Sequence, residues 1–167
     1  MAKLLNQFRK NWPIPHTSRI NKVMKKLLLT LTLFVLYGTA HAHIIVQDGW
    51  ARATTPSQKV SAAYVILTNH SPDDLKIVAA HSPIAERTEL HTHTMDEHGR
   101  MEMTHVDSIP FPSMEMVQFK PGGWHVMMIN INRTLVVGHD VPVTLTFDDG
   151  SSKTFRAVVK PLSYRPE

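Results

Sequence analysis

From His43 onward the chain alternates apolar and polar residues at period two, in short runs broken by Pro, Gly, Asn and Asp. Successive side chains of a strand point to opposite faces, so this alternation predicts strands with one face buried. The predicted strands are 44–51, 61–69, 74–80, 86–93, 101–107, 115–119, 124–131, 141–148 and 153–160. Between them stand turn-forming stretches such as Thr55-Pro56-Ser57, Asn69-His70-Ser71-Pro72, Pro110-Phe111-Pro112, Pro121-Gly122-Gly123 and Asp148-Asp149-Gly150. Such regular punctuation belongs to an all-β sandwich or barrel. The runs 143–147 and 154–159 read as a hairpin across 148–152. No stretch carries a helical face longer than two turns, and no internal repeat is visible.

The front of the chain departs from that pattern. Met24-Lys25-Lys26 is a positively charged start, 27–37 is a largely apolar run, and Gly38-Thr39-Ala40-His41-Ala42 supplies an A-x-A ending. These are the three regions of a bacterial secretory signal peptide over 24–42, with cleavage expected after Ala42. The apolar run is well short of the ~20 residues a spanning helix needs, so no stable membrane insertion is expected after cleavage. Residues 1–23, with Pro13 and Pro15, read as an unstructured extension or as a start misassigned in place of Met24. The expected mature domain is 43–167, working in the periplasm. A chain without cysteine suits that compartment, where thiols tend to be oxidised.

The export reading changes what the charge means. The formal +4 rests on residues 1–42, which carry seven Lys and Arg and no Asp or Glu. From His43 on, eleven basic residues face fourteen acidic ones, a net charge of −3. With no basic patch and an aromatic content of 7%, the domain is not built for nucleic acid.

The candidate chemistry is concentrated between 91 and 128. Seven of the nine methionines lie between Met95 and Met128, and five of the eleven histidines between His91 and His125. Methionine at that density is not needed to fill a small core, where Leu, Ile and Val pack with better-defined rotamers. Three i, i+2 pairs, His91 with His93, Met101 with Met103 and His125 with Met127, each point to one side of a strand. Converging strand ends would gather imidazoles and thioethers, a neutral and partly soft donor set that favours monovalent copper, Cu(I). Zinc fits poorly, since its usual ligands are Cys, His and carboxylates. A blue-copper electron carrier requires a Cys thiolate and is excluded.

His91, Met103, His125 and Met127 resemble the ligand pattern of the periplasmic PCuAC copper chaperones, His-x10-Met-x21-His-x-Met. Met103 and His125 have twenty-one residues between them and His125-Val126-Met127 closes the motif, while His91 and Met103 have eleven between them. One extra residue near Asp96-Glu97-His98-Gly99 would lengthen a hairpin tip; otherwise His93 or Met101 takes the place of His91 or Met103. Trp50-Ala51-Arg52-Ala53-Thr54, Ser61-Ala62-Ala63-Tyr64, Glu89-Leu90-His91 and Lys120-Pro121-Gly122-Gly123 are also similar to that family's segments. The resemblance implies a cupredoxin-like Greek-key β-barrel or sandwich that binds Cu(I) and is not an enzyme. It further implies delivery toward the Cu(A)-bearing subunit of cytochrome c oxidase, together with Sco-type thiol proteins.

Other residues take lesser expected roles. His93 and Met101 read as rim groups beside the ligands, and Trp124 as a cover over the barrel end. Met95, Met114 and Met116 read as surface or loop methionines that either capture copper transiently or simply pack, and His70, His81, His105 and His139 as solvated residues in or near turns. Two rival functions remain. Cleavage after Ala42 would give His43 a free amine, and a brace of amine and imidazole there would suit a copper-dependent oxidoreductase. Simple copper buffering for tolerance is the other.

Overall fold

The apolar half of each alternating run draws the strands onto one core. The computed structural model describes residues 43–95 and 97–166, and the expected signal peptide and N-terminal extension lie outside them. Among the described residues there are ten strands and no helix. They are β1 (Ile44–Arg52), β2 (Val60–Asn69), β3 (Leu75–His81), β4 (Ala85–Met95), β5 (Met101–His105), β6 (Ile109–Phe111), β7 (Met116–Gln118), β8 (His125–Ile131), β9 (Asp140–Phe147) and β10 (Ser152–Lys160). No helix among the described residues is long and apolar enough to cross a membrane.

The strands form one open sheet in the order β5-β4-β8-β2-β1-β10-β9-β3-β6, with β7 pairing to β2. Every pairing is antiparallel except β1 with β10. Leu67, Leu90, Val126 and Met128 from one half of the path share a single core with Ile77, Val143, Leu145 and Phe147 from the other. The sheet therefore folds back on itself, with its inner faces sealed together. In β1 a bulge between Gln47 and Trp50, where Asp48 takes a φ of 49°, shifts the register and turns the strand toward β10.

One strand departs from expectation. Pro110 and Pro112 mark 110–112 as a turn in the sequence, yet Ile109–Phe111 pairs with β3. β6 is an edge strand with a partner on one side, so the N–H that Pro110 lacks is not missed. Ile109 and Phe111 are fully buried while Pro110 is exposed, and burial of those two side chains holds the strand.

Two local features place the site. β4 pairs with β8 only from Ala85↔Ile131 to His91↔His125, while its last residues pair with β5 alone. Beyond His91 the β4–β5 hairpin is thus a two-stranded ribbon projecting past the start of β8. The start of β8 is set by Lys120-Pro121-Gly122-Gly123, closed by Gly123 N–H donating to the Lys120 carbonyl at 3.0 Å. Gly122 has φ +81°, so this is a type II turn with Pro at its second position and Gly at its third.

Candidate metal centre

Directly opposed residues of an antiparallel pair share a face, and so do residues two apart on one strand. The registers of β4, β5, β8 and β2 therefore stack four rows on one face of the sheet. Met95 faces Met101, and His93 faces Met103. His91 stands between His105 and His125, and Glu89 faces Met127, which faces Ala62. The opposite face of β4 and β8 carries Leu90, Val126 and Met128 into the core. A strand rotated by one residue would have buried the thioethers and exposed the core, so packing fixes this register.

The imidazoles are close. Ring centroids lie 5.2 Å apart for His93 and His125, 5.8 Å for His91 and His125, and 5.8 Å for His91 and His105. His125 is 2% exposed. Its Nδ1 lies 2.9 Å from the Gly123 carbonyl and donates to it, which leaves the Nε2 lone pair free. Burial holds the His125 pKa below the ordinary imidazole value; the Gly123 hydrogen bond opposes this, and His93 and His91 add to the lowering. Behind it Tyr64 lies at 6.2 Å, stacked on Trp50 and held through its hydroxyl by Arg52 Nε.

His91 is oriented from the other side. Its Nε2 donates to Glu89 Oε2 at 2.8 Å, and Arg87 Nε donates to Glu89 Oε1 at 2.6 Å. The His91 hydrogen bond holds the Glu89 carboxyl below the usual carboxylate range; burial opposes this, and the nearby Arg87 charge adds to the lowering. With Nε2 engaged, His91 offers Nδ1, which is buried and has no hydrogen-bond partner; His93 Nδ1 is in the same state. Buried polar atoms left unpaired cost stability unless a ligand takes them. Among the described residues no three His, Asp or Glu side chains are grouped to hold a metal by themselves. An ion here would therefore need further donors, and the thioethers of Met103 and Met127 stand on the same face. The donor set is imidazole plus thioether, which fits copper in its soft, monovalent form.

All four residues of the expected ligand set, His91, Met103, His125 and Met127, thus lie on this face, and His93 and Met101 share it. Trp124 precedes β8 and is half-buried against the core. His43 lies at the far end of the β1–β2 ladder, where its ring meets that of His70 at 5.9 Å. His105, read from sequence as solvated near a turn, is exposed and closes β5 with its ring against that of His91. Its spacing from Met101 and Met103 at steps of two was the signal that could have placed it. Glu89, read from sequence only as part of a family-like segment, lies two residues from His91 and accepts its hydrogen bond.

A family model, LpqE-like, described as one of lipoproteins, matches residues 44–159. The chain belongs to the LpqE-like family. Lxx21020, a lipoprotein-named relative from Leifsonia xyli subsp. xyli, is 29% identical over 119 residues, covering 71% of this chain and 70% of its own. Among solved structures, the Cu(I) form of DR1885 from Deinococcus radiodurans is 34% identical, covers 72% of this chain and 81% of its own, and superposes with a TM-score of 0.57. The copper-bound PCuAC domain of PmoF2 is 22% identical over 71% of this chain and 92% of its own, with a TM-score of 0.59, and supports the fold. The LpqE-like chain therefore has the PCuAC fold that its motifs resemble, and these solved neighbours are copper-binding domains.

Proposed function

We propose that this LpqE-like protein is an exported copper carrier that binds one Cu(I) through His91, Met103, His125 and Met127 and passes it to a thiol-bearing acceptor. The observation that carries the reading is one sheet face on which unpaired imidazole nitrogens and half-exposed thioethers stand together. A neutral donor set leaves the ion's charge uncompensated, which suits a single positive charge better than two. His93 stands opposite Met103 and near His125, so it can serve as the imidazole that holds the ion while another ligand leaves.

Delivery fits this chemistry better than catalysis. Thiolates bind Cu(I) more strongly than thioethers and imidazoles, so transfer to a Cys-bearing acceptor runs downhill. The Cu(A) subunit of cytochrome c oxidase and Sco-type thiol proteins are the acceptors this reading names, with the periplasm as the compartment. Anaerobic Cu(I) titration tests it: one equivalent should bind in the parent and in His43→Ala, and tight binding should be lost in Met103→Leu/Met127→Leu. Loss in His43→Ala with retention in the double variant would favour the oxidoreductase reading, to which the neighbouring His70 lends a second imidazole. Failure of a thiol-bearing Cu(A) apoprotein to withdraw the ion would favour buffering.

A further inference from the structure

The projecting end of the β4–β5 ribbon sorts its side chains in a way that packing does not require. Met95 and Met101 oppose each other on the face that leads to His93 and Met103 and then to His91, His105 and His125. They are 68% and 56% exposed, and Met103 is 44% exposed. Thr92, Thr94, Glu102 and Thr104 occupy the other face, with a 3.0 Å hydrogen bond between the hydroxyls of Thr94 and Thr104. Side chains left this open contribute little to a hydrophobic core. One face of an exposed ribbon is thus thioether and imidazole, and the other is hydroxyl and carboxylate.

We infer that Met95 and Met101 form a capture station that takes Cu(I) from solution or from a donor and hands it down this face to the main site. The inference rests on the copper-carrier reading. Adjacent rows on a strand face are about 7 Å apart, two residues of rise. An ion gripped by one pair can therefore be met by the swinging, unbranched side chain of the next before it is released. Each step exchanges one neutral donor for another with no change in charge or oxidation state. Because Met103 belongs to the next row, the second step already ends on a residue of the proposed main site.

A station of this kind changes how fast the ion arrives and leaves, not how tightly it is finally held. The test is Met95→Leu/Met101→Leu in the purified chain, with Cu(I) supplied as its bis-bicinchoninate complex and uptake followed by stopped-flow absorbance under anaerobic conditions. Leu conserves volume and removes sulfur at two exposed positions, so folding should be untouched. The expected result is an unchanged dissociation constant and stoichiometry, with uptake and release rates both about tenfold slower. Unchanged rates in the double variant would overturn the inference. So would a weakened equilibrium constant, which would make the two methionines ligands of the main site. Slower transfer to a protein acceptor with normal uptake from the chelate would overturn it too, making the ribbon a docking surface. If the parent itself binds no Cu(I), the carrier reading fails first, and that outcome is distinct from a parent and variant that load equally fast.

Discussion

Two constraints meet at His125: a carbonyl that fixes its tautomer and a buried setting that resists its protonation. The Gly123 oxygen holds Nδ1–H, and burial lowers the pKa from 6.5. The pH consequence follows from linkage. Well above 6.5 neither the folded nor the unfolded chain protonates this ring, and full stability is present. As pH falls below 6.5 the unfolded chain takes up the proton first, so stability is lost until the folded pKa is passed. Thermal unfolding of the copper-free protein between about pH 7.5 and 5 should show a falling midpoint, and His125→Asn should flatten that dependence. A midpoint with the same slope in the variant would mean that another group controls the acid limb. At Met103 and Met127 the expectation is the reverse, a large loss of copper affinity with little loss of stability. Met→Leu at these partly exposed positions should cost under about 1.5 kcal/mol in denaturant unfolding.

At the scale of elements, the site depends on where β8 begins, and that depends on one turn. Gly122 at φ +81° supplies a conformation that an L side chain enters only with strain. Gly122→Ala should destabilise the protein by about 1–2 kcal/mol in urea titration. It should also weaken copper binding, because the Gly123 carbonyl that orients His125 would move with the turn. Loss of stability with intact affinity would show that the turn supports the fold without tuning the ligand. Most elements were legible because alternation alone selects their buried faces, as in β9, where Val141, Val143, Leu145 and Phe147 are buried in turn. β6 was not, because Pro110 and Pro112 signal a turn as strongly as Ile109 and Phe111 signal burial. The motif names His91 and Met103 as co-ligands without placing them in a ladder, and the ladder sets His93 opposite Met103 and His91 opposite His105. Register is fixed by hairpin-tip geometry and by tertiary packing, and neither can be read from the spacing of ligands.

At the scale of the whole molecule, one continuous core supports a thin reactive strip. Leu67 is fully buried within that core. Leu67→Ala should cost about 2–5 kcal/mol and lower the unfolding midpoint whether or not copper is present. The donor types on the strip were visible in the sequence as a cluster of Met and His without Cys. Their convergence on one face needed the path β5-β4-β8-β2, which brings together strands far apart in the chain. On the proposed reading, copper is held here in its monovalent state by sulfur and nitrogen together. X-ray absorption at the copper edge of the anaerobically loaded protein tests this most directly. The expected spectrum has a Cu(I) edge with about two sulfur and two nitrogen neighbours, the sulfur lost in Met103→Leu/Met127→Leu. A first shell of nitrogen and oxygen alone, unchanged in that variant, would contradict it.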